Sequence, residues 1–218
     1  MTQKIRVYEI INTINGEGYT SGELVTLIRL AGCNLRCRWC DTPDARDPTL
    51  GKVMSLKRIV AEIEAYKLKN ILITGGEPLL QQEPLLALMH RLLRNGFRLV
   101  LETNGSVSIE HVPKECHIVM DIKCPSSGEC DKNYFSNLVF LKPDDEIKFV
   151  VANRADYEWA VSFAEDRGLF DSGRRICFSP VWGELSPKKL ARWIIRDGLP
   201  VRLSLQLHKL IWGASTRK

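Results

Sequence analysis

The stretch LVTLIRLAGCNLRCRWCDT, Leu24 to Thr42, joins an apolar segment to a loop that carries three cysteines. Residues 24–32 form a nearly continuous apolar run that only Thr26 and Arg29 interrupt. Such a run predicts a strand that is covered on both faces, as in a parallel sheet. The cysteine loop then follows the carboxyl end of that strand.

The cysteines of this loop have the spacing Cys-x3-Cys-x2-Cys, at Cys33, Cys37 and Cys40. A structural zinc site normally pairs two Cys-x2-Cys knuckles, or one knuckle with histidines at fixed spacing, and neither pattern follows here. Three thiolates on one loop can instead hold three irons of a 4Fe–4S cluster and leave the fourth iron open to another ligand.

Predicted strands and helices alternate through most of the chain. The predicted strands cover residues 4–11, 24–32, 70–74, 97–102, 117–123, 146–151, 175–180 and 200–207, and the predicted helices cover 55–66, 84–96, 154–168 and 186–198. This alternation indicates βα units and a parallel sheet. A closed eight-fold barrel usually needs ~250 residues. A chain of 218 residues therefore predicts an α/β fold with a partial, open (β/α) barrel, as a single domain over residues 1–218.

Composition narrows the class of protein. The formal charge is +5 and the pI is about 8.8, but no basic run with interleaved aromatic residues indicates nucleic-acid binding. The N-terminal segment lacks the apolar block of a signal peptide, and no apolar run approaches the ~20 residues of a membrane span. We therefore expect a cytoplasmic protein that binds neither nucleic acid nor membrane.

Four further cysteines, Cys116, Cys124, Cys130 and Cys177, are scattered along the chain. In a reducing compartment the expected state of each is a buried or incidental thiol. Cys124 and Cys130, in CPSSGEC, could alternatively form a second ligand pair.

Several polar or glycine-rich turns follow predicted strands: GCNLRCRWCDT, TGGEP, ETNG, DIKCPSS and SPVWG. Ligands in parallel α/β folds bind at the carboxyl ends of the strands. Five such turns predict a single pocket.

The motif CNLRCRWC resembles the cluster-binding motif of the radical S-adenosylmethionine (SAM) enzymes, and GGEP at Gly75–Pro78 resembles their SAM-binding segment. The resemblance implies a 4Fe–4S cluster on Cys33, Cys37 and Cys40 whose open iron binds SAM. In that family the reduced cluster cleaves SAM to a 5′-deoxyadenosyl radical.

GEG at Gly16–Gly18, TGGEP and the C-terminal LSLQLHKLIWG further resemble the 7-carboxy-7-deazaguanine synthase family of the queuosine pathway, over about Tyr8 to Gly213. The resemblance implies conversion of 6-carboxy-5,6,7,8-tetrahydropterin into 7-carboxy-7-deazaguanine with loss of ammonia. It also implies Mg²⁺ as a cofactor, a shortened barrel, a homodimer, and an electron donor such as flavodoxin or ferredoxin.

Three residues are candidates for direct contact with the pterin or with Mg²⁺. Arg29, in an otherwise apolar strand, can grip the substrate carboxylate bidentately, although it could instead pair with a nearby glutamate. Glu17 can accept hydrogen bonds from the amino and ring N–H groups of the pterin, although its loop could be a plain turn. The resemblance implies that the Thr42 hydroxyl reaches Mg²⁺, whereas the sequence alone would make Thr42 a cap or turn residue.

The resemblance assigns the remaining contacts, although polar residues are common at strand ends whatever their role. SAM contacts are expected at Trp39, Asp41, Gly76, Glu102, Asp121, Ile122, Lys123, Ser179, Pro180, Val181 and Trp182, and pterin contacts at Ile14, Asn15, Gly16, Glu17, Arg29, Thr74, Gln206 and His208. Two positions depart from the family pattern, since Asn15 replaces a glutamine and Asp121 replaces a serine.

Two other functions remain open from the sequence. A glycyl-radical-enzyme activase shares both SAM motifs in a small chain, but it needs a protein docking surface and not the Gly-Glu-Gly loop. A non-catalytic iron–sulfur or zinc protein would need four protein ligands and would not bind SAM.

Overall fold

A computed structural model describes residues 3–213. Its nine strands are β1 (Lys4–Ile14), β2 (Leu24–Leu30), β3 (Lys52–Ser55), β4 (Asn70–Gly75), β5 (Arg98–Thr103), β6 (His117–Ile122), β7 (Glu146–Val151), β8 (Arg175–Pro180) and β9 (Arg202–Leu203). Its five α-helices are α1 (Leu56–Ala65), α2 (Gln82–Arg94), α3 (Arg154–Asp166), α4 (Pro187–Asp197) and α5 (Leu207–Trp212).

The strands form one sheet in the order β3-β1-β2-β4-β5-β6-β7-β8-β9. Strand β1 is antiparallel to both of its neighbours, whereas every pair from β2 and β4 onward to β8 and β9 is parallel. Strands β3 and β9 stand at the two ends of this order, so the described sheet does not close. The expected α/β fold with a partial, open barrel is confirmed.

Two helices begin at side-chain caps, and one ends at a left-handed glycine. The Ser55 hydroxyl accepts a hydrogen bond from the Arg58 N–H at the start of α1, and the Asn153 side chain accepts one from the Asp156 N–H at the start of α3. Gly198 ends α4 in the left-handed conformation, which glycine adopts at little cost. Apolar side chains of these helices pack on one face of the sheet and form the main core.

Two elements differ from the sequence interpretation. Strand β3 is missing from it, because four residues are too few to establish an alternating pattern; β3 forms as an edge strand on β1. The last predicted strand, residues 200–207, is wrong beyond Leu203, since regular pairing covers only Arg202–Leu203 and α5 begins at Leu207.

The scattered cysteines have no disulfide partner within residues 3–213. Cys116, Cys124 and Cys177 are buried, and Cys130 is partly buried. Within the same residues, no helix combines the length and apolar character that a membrane crossing requires.

Candidate active site

A cavity of about 640 Å³ opens at the carboxyl ends of the parallel strands. Its wall combines residues from the loops after β1, β2, β4, β5, β6 and β8 with side chains on strands and on the C-terminal segment. The volume lies within the range of small-molecule sites. The convergence that the five strand-end turns predicted is therefore present.

The cysteine loop and the GGE segment touch through their backbones. The Gly76 N–H donates a hydrogen bond to the Leu30 carbonyl at 3.0 Å, and the Glu77 N–H donates one to the Gly32 carbonyl at 2.8 Å. A Cβ on Gly76 would overlap the Gly32 carbonyl oxygen, and one on Gly75 would overlap Leu30. The two glycines therefore let the β4 loop lie directly against the cluster loop.

The Glu77 side chain anchors the segment Gly75–Glu77 by hydrogen bonds. The fully buried carboxylate accepts hydrogen bonds from the Leu79 N–H at 2.9 Å, the Thr103 hydroxyl at 2.9 Å and the Asn104 N–H at 2.7 Å. Burial raises the pKa of Glu77, and these hydrogen bonds oppose the rise. Glu77 thus ties the end of β4 to the end of β5.

The three clustered thiols fit an iron–sulfur cluster. Cys33, Cys37 and Cys40 all line the cavity, and none of the other cysteines does. The Leu35 N–H and the Asn104 amide point at the Cys33 sulfur, at 3.4 and 3.7 Å, as donors do at cluster thiolates. Three soft ligands with an open side are the donor set that a 4Fe–4S cluster with one free iron requires.

The Gly-Glu-Gly loop lines the same cavity as the cysteines. Glu17 accepts hydrogen bonds from Lys148 at 2.7 Å and from the Gln206 amide at 2.8 Å, one at each carboxylate oxygen. Burial raises the pKa of Glu17, but Lys148 and Gln206 outweigh it and bring the pKa to about 2. His208 packs so closely on Gly16 that a Cβ there would overlap its ring.

The Asn15 side chain forms hydrogen bonds within the Gly-Glu-Gly loop. Its buried amide nitrogen donates to the Thr20 hydroxyl at 2.7 Å and to the Glu17 carbonyl at 3.1 Å. The residue still lines the cavity, but the donors of its amide group are occupied within the loop.

Arg29 lies on the cavity wall and pairs with a glutamate. Its Nε is 2.7 Å from Glu9 on the neighbouring strand β1, so the pairing that the sequence left open does occur. The pair engages one edge of the guanidinium and leaves the Nη groups without a hydrogen-bond partner among the described residues.

On β5, burial raises the pKa of Glu102, while Lys148 and a hydrogen bond from Thr74 oppose the rise.

Two lysines lie near the negative charge of Asp121, the residue that replaces the serine of the family pattern. Asp121 Oδ2 lies 2.8 Å from Lys123 and 4.0 Å from Lys148. Burial lowers the pKa of Lys123, but Asp121 reverses the effect and the net pKa is raised. The extra negative charge is therefore held in an ion pair.

The end of the cysteine loop faces the C-terminal segment. Asp41 forms an ion pair with Lys209 and accepts a hydrogen bond from Gln206 at 2.8 Å. Glu17, Asp41 and His208 each place a ligand atom within 4.8 Å of the other two. Burial lowers the pKa of His208, which favours the neutral imidazole that binds cations.

Thr42 precedes a short 3-10 helix, Pro43–Arg46, but its side chain makes no capping hydrogen bond there. The hydroxyl lines the cavity beside the cysteines. It is thus available to a hard cation, for which hydroxyl oxygen is a suitable ligand.

The cavity contains every residue that the sequence assigned to cluster, SAM, magnesium or pterin except Ile122, Ser179 and Pro180. The Ile122 side chain packs in the main core, and Ser179 and Pro180 are buried at the end of β8. Of this stretch, Val181 and Trp182 reach the cavity. Any contact of Ile122 with a ligand would therefore use its backbone.

Sequence reasoning missed several polar residues of the site, among them Glu9, Glu77 and Lys148. Glu9 and Lys148 each stand inside an apolar strand, in VYEII and EIKFVV. That pattern was a usable signal, because a charge in a half-buried strand needs a partner. Glu77 was inside a quoted motif, but nothing local showed that its side chain would be buried.

Comparisons with known proteins agree with this geometry. Residues 27–116 match the family model described as Radical SAM superfamily. The chain is 38% identical to a 7-carboxy-7-deazaguanine synthase of Koribacter versatilis, over 98% of this chain and 99% of that protein. It is 39% identical to the protein of the same name from Chlorobaculum tepidum, over 98% and 96%.

A solved structure described as QueE from Escherichia coli superposes with a TM-score of 0.76 at 25% identity, and covers 94% of this chain and 95% of that one. Both signature loops lie within residues 27–116, the part of the chain that the family model matches. The chain belongs to the 7-carboxy-7-deazaguanine synthase family of radical SAM enzymes.

Proposed function

We propose that this protein converts 6-carboxy-5,6,7,8-tetrahydropterin into 7-carboxy-7-deazaguanine with loss of ammonia, in 7-deazapurine (queuosine) biosynthesis. One observation carries the proposal. A single cavity is lined both by the three cluster-type thiols and by Arg29 and Glu17. Relatives that are named for this product match the chain along nearly its full length.

The pterin carries groups that complement both side chains. The Nη groups of Arg29 suit its carboxylate, since a guanidinium binds carboxylate with two parallel hydrogen bonds. Glu17 is an ionised, acceptor-only group and suits the amino and ring N–H edge. Together they can hold the ring in one orientation in the cavity that the cysteine loop also lines.

The cofactors are a 4Fe–4S cluster on Cys33, Cys37 and Cys40, SAM, and Mg²⁺ with Thr42 as a ligand. When bound, the cluster and SAM supply hydrogen-abstracting radical chemistry, and Mg²⁺ supplies a positive charge beside the substrate oxygens. Gly75, Gly76, Asp121 and Lys123 line the cavity, and we assign them to the SAM side. The residues of this chain bind, orient and enclose the reactants, and none is assigned a covalent step.

Further proposals concern the electron donor, the oligomeric state, the domain organisation and the cellular location of this enzyme. We propose a low-potential electron donor such as flavodoxin or ferredoxin, a homodimer, and a single catalytic domain over the whole chain. A cytoplasmic setting suits thiolate ligands that must stay reduced. The chain's pocket chemistry calls for no nucleic acid and no membrane.

The test is anaerobic reconstitution with iron and sulfide, followed by reduction and addition of SAM, Mg²⁺ and the carboxypterin. We expect iron and sulfide near four each per chain, together with a new deazapurine product and released ammonia. Mass spectrometry and an ammonia assay measure both.

The two rival functions predict different results. A glycyl-radical-enzyme activase would cleave SAM but leave the carboxypterin unchanged. A non-catalytic iron–sulfur protein would take up iron and cleave no SAM. Either result would refute the proposed reaction.

A further inference from the structure

Lys148 lines the cavity from strand β7. It occupies β7, between the core residues Ile147 and Phe149, and so points to the opposite face of the sheet from them. Its register partners are Asp121 on β6 and Cys177 on β8. A lysine in this place has lost most of its hydration, because only 12% of its side chain is exposed.

The ammonium group lies between two carboxylates from different sides of the site. Its Nζ is 2.7 Å from Glu17, on the loop that we assign to pterin, and 4.0 Å from Asp121, on the side that we assign to SAM. Burial lowers the pKa of Lys148, but Glu17, Asp121 and Glu102 outweigh it and hold the pKa well above its usual range. The side chain is thus a fixed positive charge.

Asp121 does not depend on Lys148. Its Oδ2 already has a partner in Lys123 at 2.8 Å. Removal of Lys148 would therefore leave Asp121 in a charge-neutral pair with Lys123, whereas Glu17 would keep only the neutral Gln206 amide as a direct partner.

The backbone of the Gly-Glu-Gly loop has a separate anchor. The Tyr19 N–H donates to both oxygens of the fully buried Glu146, at 3.1 and 3.0 Å, and the Gly18 N–H donates to the Ser204 hydroxyl at 3.2 Å. Glu146 is two residues before Lys148 on the same strand. Strand β7 therefore holds the loop backbone with one side chain and the Glu17 carboxylate with another.

We propose that Lys148 is a positioning residue that holds the Glu17 carboxylate for the N–H edge of the pterin. Lys148 and Gln206 occupy one lone-pair direction on each Glu17 oxygen, and the remaining direction on each oxygen can face the ligand. A carboxylate held in this way accepts two parallel N–H bonds and suits a 2-amino pterin better than a 2-oxo analogue. The inference rests on the proposed function, since it concerns the same substrate.

The test compares Lys148→Met, Lys148→Arg and the matched control Lys142→Met in the reconstituted, reduced full-length enzyme. Lys142 also pairs with a buried carboxylate, Asp145 at 2.8 Å, but it does not line the cavity. For each variant we measure KM and kcat with the carboxypterin, the SAM dissociation constant, and the iron content.

We expect Lys148→Met to raise the pterin KM about tenfold or more, the effect of one charged hydrogen bond, with a smaller change in kcat. The SAM dissociation constant should rise by less than the pterin KM, since Asp121 keeps Lys123 as its partner. Lys148→Arg should recover most of the loss because it keeps the charge. Lys142→Met should lower thermal stability and leave KM unchanged.

An unchanged pterin KM in Lys148→Met would overturn the inference, and so would an equal loss of SAM affinity, which indicates general collapse of the site. If Lys148→Met does not take up iron, Lys148→Gln replaces it and is judged by the same outcomes. Absence of product with the wild-type enzyme would refute the proposed reaction itself. Normal wild-type turnover with an unaffected Lys148 variant would refute only the positioning role.

Discussion

Arg29 is the one charged residue of strand β2, whose other residues are apolar except for Thr26. It is four-fifths buried, and Glu9 on the adjacent strand balances its charge. Because that pair engages only Nε, the Nη groups can still bind an anion. A single residue thus joins two roles that the sequence presented as alternatives, an internal ion pair and an anion-binding group.

Arg29→Ala should lower kcat/KM for the carboxypterin about 100-fold or more, since two charge-assisted hydrogen bonds of about 1.5–3 kcal/mol each are lost. Slow SAM cleavage without pterin should persist, because Arg29 is not on the SAM side. Steady-state product formation and 5′-deoxyadenosine release measure the two effects. Arg98→Ala is the control, since Arg98 is exposed at the start of β5 and contacts Asn70; retention of full turnover by Arg29→Ala would contradict the carboxylate role.

The segment Gly75–Glu77 connects the end of β4 to the cysteine loop and to the end of β5. Its glycines permit close backbone contact with the cysteine loop, and its glutamate caps the following 3-10 helix and the end of β5. The two signature motifs therefore form one rigid unit, although they are separated in the chain. Disruption of that unit should affect both stability and SAM binding.

Glu77→Gln should lower the free energy of unfolding by about 1–3 kcal/mol, because one backbone or hydroxyl donor would face an amide NH₂ in a buried site. The SAM dissociation constant should rise as well. Urea denaturation and equilibrium binding measure these changes. Glu165→Gln, at an exposed position on α3, should stay within about 0.5 kcal/mol of wild type; an equally stable Glu77→Gln protein would show that the buried carboxylate is dispensable.

At the scale of the whole molecule, the C-terminal segment joins the loop after β1 to the end of the cysteine loop at the cavity. The Leu207 N–H donates to the Gly16 carbonyl at 2.8 Å, Gln206 bridges Glu17 and Asp41, and Lys209 pairs with Asp41. Helix α5 has no buried residue of its own. Its contribution is therefore to the site and only slightly to the core.

A chain that stops after Leu205 should keep its fold and lose most pterin turnover. We expect the melting temperature to fall by less than about 5 °C, because little apolar surface is exposed. The pterin kcat/KM should fall about tenfold or more, since Glu17 and Asp41 lose hydrogen-bond partners.

Calorimetry and product assays measure the two changes. Leu210→Ala, an exposed position on α5, should behave as wild type. Full turnover by the shortened chain would show that the segment does not complete the site, and unfolding would show that it belongs to the core.

Much of the fold could be read from local patterns. The apolar strands, the Ser55 and Asn153 caps and Gly198 each act through neighbours in sequence, so the chain itself carries their signal. The short edge strand β3 and the turn from β9 into α5 carry no such signal. Residues 200–207 alternate like a strand, but the sheet ends after two pairs with β8, and the chain then crosses the cavity.

The same division applies to the site. The sequence by itself indicated radical SAM chemistry, because the cysteine motif and GGEP are each a short contiguous stretch and the three cysteines leave one cluster position without a protein ligand. Only the tertiary structure decided how charges in the cavity are balanced: Arg29 with Glu9, Asp121 with Lys123, and Glu17 with Lys148. The Glu17–Lys148 partners are more than a hundred residues apart. Strand order and burial bring them together, and neither quantity is encoded in any short stretch of the chain.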